Sequence, residues 1–386
     1  MISLSSRENQ LLLNPRMSSG ERAVFEEAWR DLIQRRFRER VGIATSGSSG
    51  NGAGRLIILS QTALECSAQA VNQRLASDAR DVWFKVLPDF HVGGLGIKIR
   101  AKLSGARVIE SPALLSGQVP SWNVHEFWRE LGTSAATLVS LVPTQIFDLV
   151  RNQLRAPDSL RAVVVGGGRL EPGLLAEGVR LGWPLLVSYG LTECSSQVAT
   201  AMAPGKSQLR PLAHVRLRIG ADDCLEIQSG ALLSGQIRFS PATGEAVFEE
   251  FAPGSWFRCE DRARLDADGV LTVIGRVGDF VKIGGEGVVL SRLEEVLQRL
   301  CFETDFTGDA AVLAAADERL GAVIVLLASG DKLAANKLRD RFNQAVMPFE
   351  RIRELYHLEE LPRSPLGKLL RQQAMALTGR LEVPII

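Results

Sequence analysis

The chain has 386 residues, of which 46% are hydrophobic and 23% charged, a composition that is typical of soluble globular proteins and excludes a wholly disordered chain. Its 45 basic and 44 acidic residues leave a formal charge of +1, so a dedicated nucleic-acid binder, which usually has a strongly basic face, is not expected. No apolar run approaches the roughly 18 residues that cross a bilayer, and the N-terminal segment lacks the apolar core of a signal peptide. Five widely spaced cysteines without a CxxC pair predict reduced thiols in a cytoplasmic protein rather than a zinc ribbon.

The first predicted element is an amphipathic helix over residues 21–40. Its apolar residues recur at helical spacing, so that one face would carry Val24, Ala28, Leu32 and Phe37. The basic run RRFRER at its end reads as the solvated side of this helix rather than as a binding patch.

From residue 41 to residue 200, short apolar strands alternate with helices. The runs RAVVVGGG (161–168) and PLLVSYG (184–190) both end in glycine, and the helix-like EPGLLAEGVRLG lies between them. Such a strand–helix–strand rhythm predicts a mostly parallel sheet with helices on both faces.

After residue 210 the pattern changes to short alternating strands, HVRLRIG, CLEIQSG, GQIRFS and GVLTVIGR, which predict a smaller antiparallel barrel or sheet. A last unit then begins near residue 279. Ser291 and Glu294 have the spacing of a capping box, two strands follow, and another helix is expected near 331–346. The face of the helix that follows the capping box would carry Leu293, Val296, Leu297 and Leu300.

We therefore predict an α/β protein with two domains. Residues 1–278 would form a large N-terminal domain of mixed and parallel sheets flanked by helices, together with the small antiparallel barrel-like part. Residues 279–386 would form a small α+β C-terminal domain, with the boundary at the glycine-rich stretch around Arg276–Gly285.

The segment TSGSSGNGAG (45–54) follows the strand-like VGIA. Small residues let the backbone fold tightly, and hydroxyls with free N–H groups form a concave anion site, so a phosphate-binding loop is one interpretation. A flexible surface linker is the other, since Gly/Ser runs usually are linkers. The segment does not match the Walker A pattern.

The segment SYGLTECSS (188–196) directly follows a buried-type strand. Ligands of open α/β sheets sit beyond the carboxyl ends of strands, where Tyr189, Thr192 and Glu193 would be placed to stack a base, bind a phosphate and hold Mg²⁺. A plain turn with Thr192 as a helix cap is the alternative.

Two further candidates are weak when each is taken alone. Asp261 is followed fifteen residues later by Arg276 at a strand end, and Lys368 follows Gly367 near the C-terminus. A solvated aspartate near a turn and an exposed lysine at a helix start are the ordinary explanations, although a lysine on its long stem can also reach an anion across a cleft.

In this order, TSGSSG, YGLTE, WFRCED with its later GR, and PRSPLGK resemble the acyl-adenylate-forming, or AMP-binding, superfamily of acyl- and aryl-CoA synthetases, luciferases and adenylation domains. The resemblance extends from about residue 41 to residue 373. Within the superfamily, LVSLVPTQIFDLV (138–150), LPDFHVGGLGIKIRAKLSGA (87–106) and IGGEGV (283–288) are most similar to the o-succinylbenzoate–CoA ligases of menaquinone biosynthesis.

The resemblance implies a ligase that uses ATP, Mg²⁺ and CoA in two half-reactions, an acyl-AMP being formed first and then cleaved by the CoA thiol. Tyr189 would stack on adenine, Thr192 would touch the α-phosphate, and Glu193 would hold Mg²⁺. Asp261 would accept the ribose hydroxyls beside Arg276. The remaining residues implied in nucleotide binding are Thr45, Ser46, Ser48 and Ser49 of the phosphate loop, with Gly167 and Gly168 beside the nucleotide.

The resemblance also assigns the acid, the thiol and the movement between the two steps. His91, Gly96 and Arg100 would line the acid site, with the Arg100 fork on the distal carboxylate; a surface arginine is the alternative, and Lys98 and Lys102 are expected to be solvated. Lys368 would be the catalytic lysine of the first step together with Thr192 and Glu193, whereas Gly284 and Gly285 would lie beside CoA. A mobile C-terminal domain would turn about residues 276–279, where Gly278 permits the backbone change.

Three departures from the superfamily pattern stand out. The phosphate loop begins already at residue 45, Arg55 stands near the position where a lysine is usual, and Glu260 adds a charge beside Asp261. An enzyme for another acid or for a carrier protein, and a non-catalytic nucleotide-binding relative, therefore stay open as alternatives. The expected partners are small molecules, with no nucleic acid and no stable membrane insertion, and a homo-oligomer is left open.

Overall fold

The computed structural model of the chain describes residues 8–45, 54–115, 122–240, 244–304, 306–363 and 369–379. Ser46, Ser48, Ser49 and Lys368 lie outside the described residues, so their predicted roles stay predictions.

The strands, in chain order, are β1 Gln10–Leu12, β2 Arg40–Thr45, β3 Arg55–Ser60, β4 Val82–Lys85, β5 Arg107–Glu110, β6 Leu138–Leu141, β7 Ala162–Val165, β8 Leu185–Leu191, β9 Ser196–Ala201, β10 Leu209–Pro211, β11 Val215–Ile219, β12 Cys224–Ser229, β13 Gly235–Phe239, β14 Ala246–Glu250, β15 Phe257–Leu265, β16 Leu271–Arg276, β17 Phe280–Ile283, β18 Glu286–Val289, β19 Ala310–Asp317, β20 Gly321–Ala328 and β21 Ile352–His357. The α-helices are α1 Ser19–Trp29, α2 Gln61–Leu75, α3 Val92–Ser104, α4 Pro112–Leu115, α5 Val124–Thr133, α6 Pro143–Arg151, α7 Pro172–Arg180, α8 Leu290–Glu303, α9 Lys332–Ala345 and α10 Arg371–Ala376.

The central sheet has the order β11-β12-β15-β16-β10-β9-β8-β7-β6-β4-β5. Its strands β5, β4, β6, β7 and β8 pair in parallel, and their side chains belong to separate apolar cores on the two faces of the sheet. This confirms the βαβ prediction, because only a sheet covered on both faces needs such continuous apolar strands.

The alternating strands after residue 210 are antiparallel, as the sequence predicted, but they do not stand apart from the parallel strands. β9 pairs antiparallel with β8, and β10 joins it to β16, so the antiparallel strands continue the central sheet. GQIRFS leaves this group: as β13 it pairs with β3 in a five-stranded sheet of order β1-β2-β3-β13-β14.

The first helix is shorter than predicted, and its buried face differs. α1 ends at Trp29 and is followed by one π-helical stretch, Arg30–Gln34. Phe25, Trp29 and Ile33 are buried, whereas Val24 is 46% exposed. The predicted face was partly right, since Ala28 is buried and Leu32 and Phe37 pack against the same core, whereas Val24 was wrong because Phe25 and Trp29 take the core side. Trp29 packs so closely on β2 that a side chain on Gly42 would lie 2.6 Å from its ring.

Residues from β17 onward form two small sheets, the hairpin β17-β18 and the sheet β19-β20-β21, with α8 and α9 against them. Leu293, Leu297 and Leu300 are buried on α8 as predicted. The capping box is wrong, because β18 runs directly into α8 and Val289, not Ser291, is the residue before the helix. We refer to residues 8–276 as the large unit and residues 280–379 as the small unit, since each apolar core lies wholly in one of them.

All five cysteines are free thiols. Within the described ranges, no helix has the length and apolar character required to span a membrane.

Candidate active site at the strand ends

Three of the predicted nucleotide-binding residues come together in the central sheet. The Tyr189 hydroxyl donates a hydrogen bond to Asp261 Oδ2 at 2.6 Å, and Arg276 Nε donates to Asp261 Oδ1 at 3.2 Å. Asp261 and Arg276 are directly opposite each other on β15 and β16, which explains how residues fifteen positions apart meet. Asp261 is buried, and both of its oxygens are held before any ligand arrives.

The electrostatics of this cluster keep Tyr189 neutral. Burial raises the pKa of Tyr189 well above its ordinary value, and the negative charge of Asp261 raises it further. The Asp261 carboxylate raises the pKa of Arg276 against the effect of burial. Each carboxylate oxygen has a second lone pair, so Asp261 retains acceptor capacity for a ligand hydroxyl.

A second cluster lies where β2 and β3 end beside the turn after β8. Thr45 and Arg55 are partners across the two strands, and the short 3₁₀ turn Thr192–Cys194 follows β8. Arg55 Nη2 lies 3.9 Å from Glu193 Oε1, and both side chains are only 14% exposed. The arginine that stands near the usual lysine position is therefore beside the candidate metal-binding carboxylate.

The backbone of this turn depends on glycine at position 190. A Cβ atom on Gly190 would lie 1.9 Å from the carbonyl oxygen of Ser196, where β8 and β9 cross closely. The Glu193 carbonyl is fixed by the Leu233 N–H at 2.8 Å. The YGLTE sequence thus holds Thr192 and Glu193 on a rigid turn.

Gly167 and Gly168 follow β7 after Gly166 and are exposed. Gly167 has a φ of +81°, which favours glycine, and a side chain on Gly168 would contact Pro143 at the start of α6. The two glycines therefore form an open surface at the carboxyl edge of the parallel strands, which is the edge where open α/β sheets bind ligands. Their role beside the nucleotide stays a prediction.

Arg100 is the most unusual residue of the site. It lies on α3, is 2% exposed, donates from Nη2 to Ser196 Oγ at 3.1 Å and lies over the Trp83 ring at 5.9 Å. Among the described residues it has no acidic ion-pair partner, and its Nε has no hydrogen-bond partner. Burial lowers the pKa of Arg100 to about 10, so it remains a cation at neutral pH.

Gly96, one of the residues predicted for the acid site, lies beside this cation. A Cβ atom on Gly96, one helical turn away, would lie 3.0 Å from Arg100 Nη2, so the bare glycine makes room for the guanidinium. His91 precedes α3, and its ring lies against that of Phe90 with centroids 4.6 Å apart and the planes tilted by 50°. Burial lowers the pKa of His91 to about 4, and its Nε2 has no hydrogen-bond partner.

An ionic network beside α3 escaped the sequence reasoning. Lys98, expected to be solvated, is 18% exposed and lies 2.7 Å from Asp89 Oδ2 and 2.9 Å from Glu110 Oε1. The wholly buried Lys85 lies 3.1 Å from Asp89 and 3.7 Å from Glu110. These four charges connect the ends of β4 and β5 to α3. In the sequence, the signal that could have indicated this network was Asp89, two residues before His91. Lys102 is exposed, as expected.

In the small unit, Gly284 and Gly285 form the tip of the β17-β18 hairpin, with φ values of +59° and +92°. Both are exposed. Gly278 lies in the turn Val277–Asp279 between the two units. Arg363 and Leu369 form a β-bridge on either side of residues 364–368, which include Lys368.

Comparison with known proteins identifies the family of the chain. The family model described as AMP-binding enzyme matches residues 43–239, a range that contains Thr45, Arg55, His91, Arg100, Tyr189 and Glu193. The chain is a member of the AMP-binding enzyme family. This confirms the resemblance drawn from the sequence motifs.

Among similar proteins of the AMP-binding family, a 2-succinylbenzoate–CoA ligase of Bacillus mycoides (strain KBAB4) is 28% identical over 353 residues, which are 87% of this chain and 69% of that protein. One from Bacillus cereus (strain AH820) is 26% identical over 352 residues with the same coverage. Both are substantially longer than this chain.

Solved structures of AMP-binding enzymes share the fold. The o-succinylbenzoate CoA synthetase MenE from Bacillus subtilis in complex with ATP and magnesium ion has a TM-score of 0.71 at 24% identity, covering 86% of this chain and 69% of that one. The same enzyme in complex with the acyl-adenylate intermediate OSB-AMP has a TM-score of 0.76 at 22% identity, covering 95% and 82%. The predicted fold class is confirmed.

Proposed function

We propose that this chain is an AMP-forming acid–CoA ligase that converts o-succinylbenzoate, ATP and CoA into o-succinylbenzoyl-CoA, AMP and pyrophosphate through an acyl-adenylate. The observation that supports o-succinylbenzoate as the acid is the burial of Arg100. An ionised guanidinium buried without an acidic partner is costly, and a second carboxylate on the substrate would supply that partner. o-Succinylbenzoate keeps such a carboxylate after its other one has reacted.

The nucleotide would bind at the carboxyl ends of β7 and β8. Tyr189 would stack on adenine beside Gly167 and Gly168, while Asp261 would take the ribose hydroxyls with Arg276 alongside. Arg55 would take the place of the usual lysine on the phosphates, with Thr45, Ser46, Ser48 and Ser49 on the phosphate loop. Support for this arrangement comes from the prebuilt Tyr189–Asp261–Arg276 cluster.

The residues present fit one bound Mg²⁺ ion. Within the described parts of the chain, no group of three or more His, Cys, Asp or Glu side chains is placed to hold a metal, so an all-protein cage is not offered there. Mg²⁺ typically uses one or two carboxylates together with substrate phosphates, and Glu193 is the carboxylate beside Arg55. When bound, the ion would neutralise phosphate charge, while Thr192 would touch the α-phosphate.

The first step places an anionic carboxylate against an anionic α-phosphate. Lys368 would bridge the two groups, and a cation positioned where negative charge crowds in the transition state is usually the largest catalytic contribution. His91, which is neutral at physiological pH because of its low pKa, and Gly96 would line the acid site. The rest of the acceleration would come from holding the two reactants in line.

The second step requires a different face of the small domain. We propose domains of residues 1–278 and 279–386, with a rotation about residues 276–279 that withdraws Lys368 and brings Gly284 and Gly285 beside the CoA thiol. The reaction uses only small-molecule partners and is placed in the cytoplasm, where the five free thiols stay reduced.

Pyrophosphate release tests the proposal. The purified chain with ATP and Mg²⁺ is expected to release pyrophosphate only when o-succinylbenzoate is added, and CoA then yields the thioester. Benzoate, which lacks the second carboxylate, is the matched control. Equal release with both acids would overturn the assignment of the acid, and transfer to a carrier protein but not to CoA would overturn that of the acceptor.

A further inference from the structure

Two contacts join the large and small units far from the hinge. Arg169 Nη1, directly after Gly167 and Gly168, lies 2.7 Å from Glu295 Oε1 on α8. Arg151 at the end of α6 donates from Nη1 to the Phe306 carbonyl at 2.8 Å. Both arginines belong to the large unit, and both acceptors belong to the small one.

Contacts beside the hinge do not report orientation in this way. Arg262 lies over the Phe280 ring at 4.2 Å, and a side chain on Gly275 would meet Ser291. These residues are held near each other by the short connecting chain. Arg169 and Arg151, in contrast, precede the hinge by more than one hundred residues, so their contacts exist only in certain orientations of the small unit.

In the orientation shown, the hairpin tip does not pack on the described residues of the large unit at its two glycines. Gly285 is exposed, and a Cβ atom built on it would meet no described atom within 4 Å; one on Gly284 would meet, among the described residues, Leu320 of the small unit. The face proposed for the CoA step therefore makes no contact with the large unit at these two positions. Whatever stabilises this orientation opposes the second half-reaction.

We infer that Arg169 and Arg151 are positioning residues, forming a two-point latch that holds the small unit in the orientation shown and favours acyl-adenylate formation over CoA attack. This rests on the proposed function. The side chain of Arg169 is 56% exposed and that of Glu295 is 23% exposed, so the ion pair is weak enough to open during each catalytic cycle. Burial raises the pKa of Glu295, and the charge of Arg169 opposes that rise.

The position of Arg169 gives the latch a link to the nucleotide site. It is the residue after Gly168, so movement of the glycine loop moves the start of its side chain. The latch therefore connects the loop proposed to pack beside the nucleotide with the helix α8 of the small unit, without any contact to the reacting atoms.

Exchanging the charges of Arg169 and Glu295 tests the latch. Arg169→Glu and Glu295→Arg each place like charges together and are expected to lower the ratio of acyl-adenylate formation to CoA attack by roughly two- to fivefold, the range of exposed ion pairs. The double variant Arg169→Glu/Glu295→Arg is expected to return the ratio to within about twofold of the unmodified protein. Arg180→Glu, which breaks an exposed ion pair within the large unit, is the matched control.

The two half-reactions are measured separately, by single-turnover pyrophosphate release without CoA and by CoA attack on synthetic acyl-adenylate. Arg151→Gln removes the second point of the latch and is expected to act in the same direction as Arg169→Glu. An unchanged ratio in the single variants, or a double variant as impaired as the singles, would overturn the latch.

The orientation of the small unit relative to the large unit can also be measured without any acid. Fluorescent labels on Ser207→Cys and Lys337→Cys, which are exposed positions of the two units, report energy transfer once the half-buried Cys66 and Cys301 are replaced by serine. Arg169→Glu is expected to shift the transfer efficiency and the double variant to restore it. An unchanged transfer efficiency in Arg169→Glu would overturn the latch even if the ligase activity is present. A shift in a chain that activates no acid would overturn the proposed function and leave the latch standing, whereas a shift with an unchanged ratio overturns its link to the half-reactions.

Discussion

The nucleotide side and the acid side of the site handle buried charge in opposite ways. Asp261 is paired inside the protein with Tyr189 and Arg276, whereas Arg100 is buried against one serine hydroxyl and an aromatic ring. The first cluster is complete before binding. The second lacks an acidic partner among the described residues. In the proposed function the acid would supply this negative charge, so specificity for the acid would depend on an unsatisfied cation.

The sharpest way to break this comparison is Arg100→Ala. Losing one partner of a buried charge pair costs about 2–5 kcal/mol, so KM for o-succinylbenzoate should rise by on the order of a hundredfold while KM for ATP barely changes. Arg100→Lys should recover only part of the loss, because a point charge cannot replace the fork. Steady-state kinetics with each substrate varied separately measure this, and unchanged acid affinity in Arg100→Ala would refute the role.

Asp261→Asn is the reciprocal change on the nucleotide side. It removes the charge that Arg276 and the Tyr189 hydroxyl hold in place, and hydrogen bonds to charged groups contribute about 1.5–3 kcal/mol. KM for ATP is expected to rise by roughly tenfold or more, and KM for the acid is expected to stay constant. If both KM values rose together, the two clusters would not be independent sites.

Glu193→Gln should affect the metal requirement. The amide keeps the shape but loses the charge that hard cations prefer, so half-maximal pyrophosphate release should need several-fold more Mg²⁺ in the variant. Titration of Mg²⁺ at saturating ATP checks this. Glu177→Gln, which changes a carboxylate that pairs with Arg180 on α7, serves as the control. Its Mg²⁺ titration should match that of the unmodified enzyme.

The last prediction concerns the effect of pH on stability, which leaves the kinetics of the proposed reaction aside. The folded-state pKa of His91 is lowered to about 4 by burial, below the ordinary value near 6.5, so the unfolded chain binds its proton more readily. The free energy of unfolding is therefore unaffected by His91 above about pH 6.5 and falls as pH drops from there towards 4, by about 2 kcal/mol at most at pH 5. Urea unfolding of His91→Gln should show a smaller loss between pH 7 and pH 5; an equal loss would mean that His91 is not held neutral.

The sequence predicted what depends on local pattern or on the family motifs, and it failed where distant segments meet outside those motifs. Continuous apolar runs identified β7 and β8, and the motifs placed Tyr189, Asp261 and Arg276 in one site. The ion pair of Arg55 with Glu193 was not predictable from spacing, because only the fold brings β3 against the turn after β8. The Lys98 network was missed for the same reason, since Glu110 reaches it from the neighbouring strand β5.

Local rules also failed where packing overrode them. Ser291 and Glu294 have the spacing of a capping box, yet the continuous passage from β18 into α8 starts the helix two residues earlier, with Val289 in place of Ser291 before the helix. In the first helix, periodicity alone could not distinguish the face of Val24 from that of Phe25, and the volume of two aromatic rings decided it.

The buried guanidinium of Arg100 lowers the stability of the empty protein but would serve to bind the proposed acid. In the empty protein it is removed from water with little in return, so an apolar residue of similar length, as in Arg100→Met, would raise the melting temperature while destroying recognition of a dianionic acid. Under the proposed function the acid would bind only the folded chain, and it would stabilise the chain by a free energy that rises with the logarithm of the acid concentration once this exceeds Kd. The amount of folded enzyme in a cell would then follow the supply of its substrate, without any dedicated regulatory element.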